Sequence, residues 1–329
     1  MDTKLYIVVP CYNEEEVLPL SEPLFRQALH DLIQKQKISA ESRILFVNDG
    51  SHDRTWERIE EYSKQHESIC GISLSRNRGH QNALLAGLME AKEHADIVIT
   101  IDCDGQDDVG AMEKMVDAYH DGCDVVYGVR SKREHDSHFK QMTAKFFYGL
   151  MKFMGTDVIE DHADYRLLSA RVIRELEQFK ETNLFLRGMI PLVGFKSTAV
   201  YYERKERMAG KSKYSLKKMV SLALDGITSF SIAPLRLIMG AGFLVAFLSF
   251  IGVIWAVVTE FMGRTVDGWA SMTCIICFVG GVQLICLGVL GEYVGKIYLE
   301  VKNRPKYIVS ERTDNIKGDD KEYENTCKF

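Results

Sequence analysis

The first 130 residues alternate short apolar runs, rich in β-branched side chains, with longer stretches of helical periodicity. Short apolar runs bounded by polar turns predict buried strands, and the amphipathic stretches predict helices. The predicted strands are Leu5–Val9, Arg43–Val47, Ile69–Leu74, Ile97–Ile101 and Asp124–Tyr127. The predicted helices are Glu15–Gln36, Arg54–Gln65, Gln81–Glu93 and Gly110–His120. Such alternation is typical of an α/β fold with a mostly parallel sheet.

Two apolar runs near the C-terminus, Leu237–Val258 and Trp269–Gly291, contain no charged residue. Each exceeds the roughly 20 residues that cross a bilayer core, so we predict a transmembrane hairpin. Two buried core helices are the alternative, but core helices rarely lack charge on every face. Basic residues gather on both outer flanks, whereas the intervening loop holds only Arg264. Because basic flanks stay cytoplasmic, we expect a multi-pass inner-membrane protein with both termini in the cytoplasm.

This hairpin divides the chain into three predicted parts. A cytoplasmic α/β domain covers residues 1–230, the hairpin covers 231–295, and a cytoplasmic tail covers 296–329, largely disordered after about residue 312. Phe139–Phe153 and Ser215–Leu235 are candidate interfacial helices, with packing against the sheet as the alternative for the first. The net charge of −5, with basic residues beside the hairpin, gives no indication of nucleic-acid binding and favours membrane lipid as a partner.

Carboxylate and amide side chains follow the predicted strands, where parallel sheets bind their ligands. Asp49 follows the second strand, and Asp102, Asp104 and Gln106 follow the fourth. Residues two apart on an extended chain point the same way, so both carboxylates of the Asp102 and Asp104 pair can face one hard cation. Gln106 can add an oxygen, and such oxygen ligands suit Mg²⁺ or Mn²⁺. Each residue taken alone could instead cap a helix or form a turn.

Glycine-rich phosphate loops are absent from the sequence. No G-x-G-x-x-G motif occurs, which argues against a dinucleotide site. Gly210-Lys211-Ser212 is similar to the end of a P-loop, but Lys205 stands where the first glycine would be needed. A metal ion together with arginines is therefore the expected means of holding a diphosphate.

Several motifs together resemble the family 2 glycosyltransferases of GT-A fold. They are VVPCYNEE, FVNDGSHDRT, the turn Arg76-Asn77-Arg78-Gly79-His80, and IDCDGQ, in that order. The later blocks Asp164-Tyr165-Arg166-Leu167-Leu168, Phe185-Leu186-Arg187-Gly188 and Arg207-x-x-Gly210-x-Ser212-Lys213-Tyr214 narrow the resemblance. With two C-terminal spans, residues 4 to 305 look like a polyprenyl-phosphate glycosyltransferase, the group of bactoprenol glucosyltransferases and dolichyl-phosphate mannose synthases.

The resemblance implies roles for particular residues. The nucleotide pocket would be lined by Pro10, Tyr12, Glu14, Asp49 and Asp102, with Asp49 accepting from the base. The metal would be held by Asp104 and Gln106, with Asp102 beside them contacting the nucleotide sugar. The phosphates would be bound by Arg130, Arg133, Arg207, Ser212 and Lys213. Asp102 and Arg207 would also be catalytic. An ordinary basic membrane flank is the alternative for residues 204–218.

Asp164 is the candidate catalytic base, or the carboxylate that orients the acceptor phosphate. A structural pairing with Arg166 is the alternative, and Asp161 competes for the same role. Ala163 stands where many relatives have glycine, so the aim of the Asp164 side chain can differ from theirs. Nearby histidines, among them His80, are expected to be solvated or structural.

The predicted function is inverting transfer of one hexose from a nucleotide sugar, UDP-glucose for preference, to undecaprenyl phosphate. N-acetylglucosamine, galactose or mannose are the alternative sugars. A processive synthase would need Q-x-x-R-W, which is absent, and a nucleotidyltransferase would not need the hairpin. A membrane-anchored nucleotide-sugar sensor or scaffold is the non-catalytic alternative. Gly291-x-x-x-Gly295 and the family resemblance allow a homo-oligomer.

Overall fold

The computed structural model of the chain describes residues 2–131, 162–181, 186–203, 233–262 and 269–316. These residues fall into two compact units. The first unit holds the described residues up to 203 together with 304–316, and the second holds 233–262 and 269–303. The candidate interfacial segment Phe139–Phe153 and residues 215–232 of the other candidate lie outside the described residues.

The first unit is an α/β structure. Its strands are β1 Leu5–Cys11, β2 Arg43–Asn48, β3 Ile69–Leu74, β4 Ile97–Thr100, β5 Val125–Arg130, β6 His162–Ser169, β7 Ser197–Tyr202 and β8 Val309–Arg312. Its helices are α1 Leu18–Gln34, α2 Thr55–Gln65, α3 His80–Ala91, α4 Ala111–His120, α5 Ala170–Glu177 and α6 Leu186–Leu192. The five predicted strands and four predicted helices of the first 130 residues are confirmed, with ends that differ by a few residues.

All eight strands form one sheet in the order β7-β5-β6-β4-β1-β2-β3-β8. Strands β1 to β5 and β7 run in one direction, whereas β6 and β8 are antiparallel to their neighbours. The predicted mostly parallel sheet is therefore confirmed. The sequence did not predict that β6 lies between β4 and β5. These two strands follow each other along the chain, but they do not pair with each other in the sheet.

Helix α3 packs closely on the centre of the sheet because of Gly87. A Cβ atom at this position would lie 2.4 Å from Val8 Cγ1 and 2.8 Å from Val47 Cγ2, so a larger residue would push the helix away. The face of α3 that carries Ala83 and Leu84 is buried. This close packing fixes the N-terminus of α3, where His80 begins the helix, relative to the ends of the strands.

The C-terminal tail rejoins the sheet, and it stays ordered for four residues beyond residue 312, after which disorder was expected. β8 pairs with β3, and the chain then forms a short 3₁₀ turn, Asp314–Ile316. Thr313 is 5% exposed and Ile316 is 8% exposed, so the tail is packed up to this point. The polar sequence of the tail did not predict this strand. An edge strand pairs through its backbone N–H and C=O groups and does not require apolar side chains. Residues 317–329 lie outside the described residues.

The second unit contains two long helices, α7 Ala233–Phe261 and α8 Trp269–Lys302. Both apolar runs that the sequence singles out are helical, and α8 continues beyond Gly291. Within the part of the chain that the structure describes, the 25-residue stretch Phe278–Lys302 is long and apolar enough to cross a membrane. The residues of this stretch are not buried inside the protein, whereas those of a core helix in a soluble protein would be mostly buried.

Candidate active site at the carboxyl edge of the sheet

The loops after β1 and β2 are joined to each other by hydrogen bonds. The parallel register pairs Cys11 with Asn48, so both strands end at the same level. Ser51 Oγ accepts from the Asn13 N–H at 3.0 Å, and Thr55 Oγ1 accepts from the Glu14 N–H at 2.9 Å. Pro10 is buried within β1, whereas Tyr12 and Glu14 are partly exposed beyond its end. The predicted nucleotide-binding residues of this segment therefore lie on one connected edge.

Asp49 holds the loop that precedes α3. Its Oδ1 accepts from the Arg78 N–H at 2.7 Å, and its Oδ2 accepts from the Gly79 N–H at 2.9 Å. Burial raises the pKa of Asp49, although the two backbone donors partly oppose this shift. Gly50 makes the close approach possible, because its φ is +62° and a Cβ there would lie 2.4 Å from the carbonyl carbon of Arg76. Asp49 thus organises residues 76–79.

The antiparallel register of β6 brings Asp164 beside Asp102. Thr100 of β4 pairs with Arg166 of β6, so the residue two places after Thr100 and the residue two places before Arg166 lie opposite each other. The Thr100 hydroxyl donates to the backbone carbonyl of Asp164 at 2.6 Å, which fixes this end of β6. The strand register therefore explains why Asp102 and Asp164 lie close together.

Asp164 is surrounded by cationic and polar donors. Arg187 binds it with two hydrogen bonds, from Nη2 to Oδ2 at 2.9 Å and from Nε to Oδ1 at 3.1 Å. Arg166 donates to Oδ1, and His80 Nε2 lies 3.4 Å from Oδ2. Burial alone would raise the pKa of Asp164, but His80 and the two arginines hold it well below 3.8. A carboxylate so stabilised in its charged form is a weak proton acceptor, so the geometry favours an orienting role.

His80 bridges the two carboxylates. Its Nε2 lies 3.5 Å from Asp102 Oδ1 and 3.4 Å from Asp164 Oδ2. Burial would lower the pKa of His80, but these two neighbours raise it above its usual value. The sequence motifs include Arg187 only as one residue of the block Phe185-Leu186-Arg187-Gly188. They assign no functional role to His80. The positions of these two residues depend on the start of α3 and on α6, which spacing along the chain does not reveal.

A second arginine is held in the same manner. Asp107 Oδ1 accepts from Tyr202 Oη at 2.7 Å and from Arg130 Nη2 at 3.2 Å. The Asp107 side chain is buried, and its Oδ2 has no hydrogen-bond partner among the residues that the structure describes. Burial and the Asp107 charge raise the pKa of Tyr202, so its hydroxyl remains a donor at neutral pH. The motifs did not single out Asp107 or Tyr202, which fix the predicted phosphate ligand Arg130.

Asp102 and Asp104 form an acidic edge that suits a divalent cation. Burial raises the pKa of Asp102, His80 opposes this shift, and the nearby charges of Asp164, Asp107 and Asp104 raise it further. A hard dication would relieve this crowding, and carboxylate oxygens are its preferred ligands. Asp104 Oδ1 also accepts from the Gln106 N–H at 3.1 Å, which shapes the loop around the pair.

The protein ligands at this edge do not form a complete metal cage. Across the described ranges, no group of three His, Cys, Asp or Glu side chains is arranged to hold a metal ion. Mg²⁺ in phosphate sites is commonly held by one or two carboxylates and by the substrate phosphates, so this donor set fits an ion that arrives with a diphosphate. The other predicted phosphate ligands, and the competing base, lie outside the described residues: Arg133, Arg207, Ser212, Lys213 and Asp161.

Comparisons with known proteins agree with the motifs. Residues 6–177 match Glycosyl transferase family 2, and residues 233–297 match the GtrB C-terminal hairpin. The Uncharacterized glycosyltransferase YkoT of Bacillus subtilis (strain 168) is 50% identical over 305 residues, which cover 93% of this chain and 90% of that protein. The SfII prophage-derived bactoprenol glucosyl transferase of Shigella flexneri is 41% identical over 308 residues, covering 93% of this chain and 97% of that protein.

Among solved structures, the chain is similar to glucosyl-3-phosphoglycerate synthase from Mycobacterium tuberculosis in complex with Mn²⁺, UDP-glucose and phosphoglyceric acid. It is 16% identical to this chain with a TM-score of 0.44, and the match covers 69% of this chain and 78% of that one.

Proposed function

Because the chain belongs to glycosyl transferase family 2, we propose that it transfers one glucose from UDP-glucose to undecaprenyl phosphate, with inversion at the anomeric carbon. The observation that carries the proposal is the similarity to bactoprenol glucosyl transferases, which extends over the α/β unit and the C-terminal helices alike. The geometry supports it because acidic side chains for a metal and anchored arginines for phosphates meet at one edge of the sheet.

The donor binds at the ends of β1, β2 and β4. Pro10, Tyr12, Glu14 and Asp49 line the nucleotide pocket, where the remaining lone pairs of Asp49 accept from the uracil N–H. The carboxylates and amide that follow β4, Asp102, Asp104 and Gln106, would hold Mg²⁺ or Mn²⁺ together with the donor diphosphate. Such an ion would supply positive charge to stabilise the departing UDP.

The acceptor phosphate attacks the anomeric carbon directly. Its oxygen forms the new bond to carbon while the bond from carbon to the UDP oxygen breaks, so UDP leaves with that electron pair. A phosphate anion has no proton that must first be removed, and this agrees with the weak basicity of Asp164. Asp164 instead orients Arg187 and His80, whose positive character attracts the incoming phosphate.

Arg130 is a second arginine for phosphate binding, and it lies close enough to Asp102 to be influenced by its charge. Its guanidinium is held by Asp107 and Tyr202, and the Asp102 charge is among the causes that raise the pKa of Arg130. Burial would lower that pKa, so the surrounding acceptors keep the group charged close to where the diphosphate binds. An arginine fixed by a buried carboxylate loses little side-chain freedom when it binds phosphate.

The hairpin anchors the chain in the membrane that holds the lipid acceptor. Leu237–Val258 and Trp269–Gly291 cross the inner membrane, and both termini and the α/β unit are cytoplasmic. Arg207, Ser212 and Lys213 precede the first span in the chain and bind the lipid phosphate at the membrane surface. This arrangement delivers a membrane-bound acceptor to a water-soluble donor.

The decisive experiment uses the full chain in detergent with undecaprenyl phosphate, Mg²⁺ or Mn²⁺, and radiolabelled nucleotide sugars. We expect label from UDP-glucose to enter the organic phase, and little label from UDP-galactose, UDP-N-acetylglucosamine or GDP-mannose. Omission of the lipid or addition of EDTA should abolish the transfer. Preferred transfer of another sugar would replace glucose in the proposal.

A folded chain that binds UDP but transfers none of these sugars would contradict the catalytic proposal and favour the sensor or scaffold. A matched pair of variants separates these outcomes from a general loss of structure. Asp104→Asn removes the negative charge of a proposed metal ligand. Asp108→Asn makes the same change in a nearby carboxylate that we do not assign to the metal. The proposal expects transfer to fall strongly in the first variant and to persist in the second.

A further inference from the structure

The chain returns to the α/β unit after α8 and completes the edge of the sheet. We call residues 308–316 the returning segment. Its strand β8 pairs antiparallel with β3, and the register shifts between Ser73 and Leu74. Every residue of β3 is buried, so without β8 this strand would present unpaired backbone groups at an edge. The returning segment is therefore part of the sheet that carries the site.

Two hydrogen bonds connect the returning segment to the end of β3. The Ser75 N–H donates to the Ile308 carbonyl at 2.9 Å, and the Ser310 hydroxyl donates to the Ser73 carbonyl at 3.0 Å. Ser73 Oγ in turn accepts from Asn48 Nδ2 at 2.9 Å, next to Asp49. These hydrogen bonds therefore lie where β3 ends and residues 75–79 begin.

The same residues 75–79 form the loop that Asp49 binds. The N–H groups of Arg78 and Gly79 donate to the two Asp49 oxygens, and the next residue is His80 at the start of α3. The loop is thus fixed at one end by the returning segment and at the other by Asp49. Movement of Ser75 would alter both the Asp49 carboxylate and the position of His80.

Further contacts anchor the returning segment to β3 itself and to helices α2 and α3. Thr313 Oγ1 accepts from the Gly71 N–H at 2.9 Å, and the Thr313 N–H donates to the Gly71 carbonyl at 3.0 Å. Arg312 binds Glu90 of α3 with two hydrogen bonds of 2.9 and 3.1 Å. The Trp56 indole of α2 donates to Glu311 at 3.1 Å. These contacts hold the segment in one register.

We propose that the returning segment is a positioning element of the donor nucleotide pocket. It fixes residues 75–79, which in turn fix Asp49 for the base and His80 between Asp102 and Asp164. The inference rests on the proposed function, because it assigns the nucleotide to the Asp49 side of the site. Protection of an otherwise exposed sheet edge is the competing role, and it would not require any effect on nucleotide binding.

The first test compares two shortened forms of the full chain in detergent. One ends at Pro305 and lacks the returning segment, and the matched control ends at residue 316 and lacks only residues 317–329. We expect amide hydrogen exchange in residues 75–80 to be at least about tenfold faster in the shorter form, the factor of one lost net hydrogen bond. Exchange in β5, which the segment does not touch, should match the control.

Equilibrium binding of UDP gives the second readout. The form that ends at Pro305 should bind UDP about tenfold more weakly than the control, and a synthetic peptide of residues 306–316 should restore both affinity and protection. Ser310→Ala in the full chain should give a smaller change of the same kind, because it removes one tie without removing β8. This variant keeps the test valid should the shorter form not fold.

Unchanged exchange in residues 75–80 after removal of the segment would overturn the proposal, as would faster exchange with an unaltered UDP affinity. The latter result would assign the segment to edge protection alone. If the control itself bound no UDP, the proposed function would fail, whereas hydrogen exchange would still decide whether the segment orders the loop. The two failures are therefore distinguishable.

Discussion

Replacing Asp164 by asparagine tests the charge arrangement at the centre of the site. The substitution preserves the size of the side chain and one oxygen acceptor, but it removes the negative charge. Asp164 is 7% exposed and Arg166 is 2% exposed at the side chain, so neither group can turn to water. Arg187 is 38% exposed at the side chain and can regain hydration. The cost of the substitution therefore falls mainly on Arg166.

The expected loss of stability follows from this burial. Removing one partner of a buried ion pair typically costs about 3–5 kcal/mol, because the other charge is left without compensation. The retained amide oxygen and the partial exposure of Arg187 place Asp164→Asn near the lower value, about 3 kcal/mol. The double variant Asp164→Asn with Arg166→Met removes the stranded charge, so it should recover a large part of that loss.

The same carboxylate gives a dependence on pH. The pKa of Asp164 in the folded protein lies well below 3.8, so folding favours its charged form. Its contribution to stability is complete above the unfolded pKa of about 3.9 and is lost as the pH falls through the lower folded value. The Asp164→Asn variant lacks this contribution, so the difference in stability between the two proteins should shrink in acid.

The assay is chemical unfolding of the full chain in detergent, followed by tryptophan fluorescence at several pH values. Asp124→Asn is a matched control, because Asp124 accepts a hydrogen bond from the neutral Ser169 hydroxyl and the loss should be small. An Asp164→Asn protein as stable as the wild type at neutral pH would refute the reasoning. A double variant less stable than the single one would also refute it, because Arg166 would then stabilise the fold without its partner.

Three further substitutions test other parts of the site. Asp104→Ala should abolish metal-stimulated transfer with an unchanged melting temperature, and near-normal activity at saturating Mn²⁺ would exclude it as a metal ligand. Tyr202→Phe removes a hydrogen bond to the buried carboxylate that holds Arg130, a bond worth about 1.5–3 kcal/mol, so the KM for the donor should rise at least several-fold. Gly50→Ala should weaken UDP binding and cost more than about 1 kcal/mol in a denaturation assay, because a methyl group meets the facing loop backbone. Gly122→Ala shares the positive φ but has space for a methyl group, so it should leave UDP binding unchanged.

The sequence predicted the first half of the α/β unit well because its strands are buried on both faces and read as apolar runs. The GT-A prediction is confirmed by the family match together with the mostly parallel sheet. β6 escaped notice because its sequence, HADYRLLS, contains buried Asp164 and Arg166, which neutralise each other in the fold but interrupt the apolar pattern. β7 and β8 escaped notice because they are edge strands with mostly exposed side chains.

The sequence singled out the carboxylates that the structure brings together, but it did not single out His80 or Arg187 beside them. The acidic residues follow strands directly, so the rule that ligands bind at strand ends locates Asp49 and Asp102 from the sequence alone. His80 and Arg187 instead depend on the close packing of α3 and on the position of α6, which come from contacts distant in the chain. The motifs that carry the family resemblance contain His80 and Arg187, but they do not indicate which side chains these two residues contact.

Two arginines of the site, Arg130 and Arg187, are held in the same way. This arrangement explains why the sequence did not predict which carboxylate binds each arginine. Arg130 is held by Asp107, and Arg187 is held by Asp164, so each guanidinium has a buried carboxylate behind it. A carboxylate in that position does not need to touch a substrate, and its sequence context gives no catalytic signal. It fixes the planar donor group before a phosphate arrives, which lowers the entropy lost on binding. Lysine at either arginine position would keep the charge but lose the paired geometry, so this construction makes the two residues poorly interchangeable.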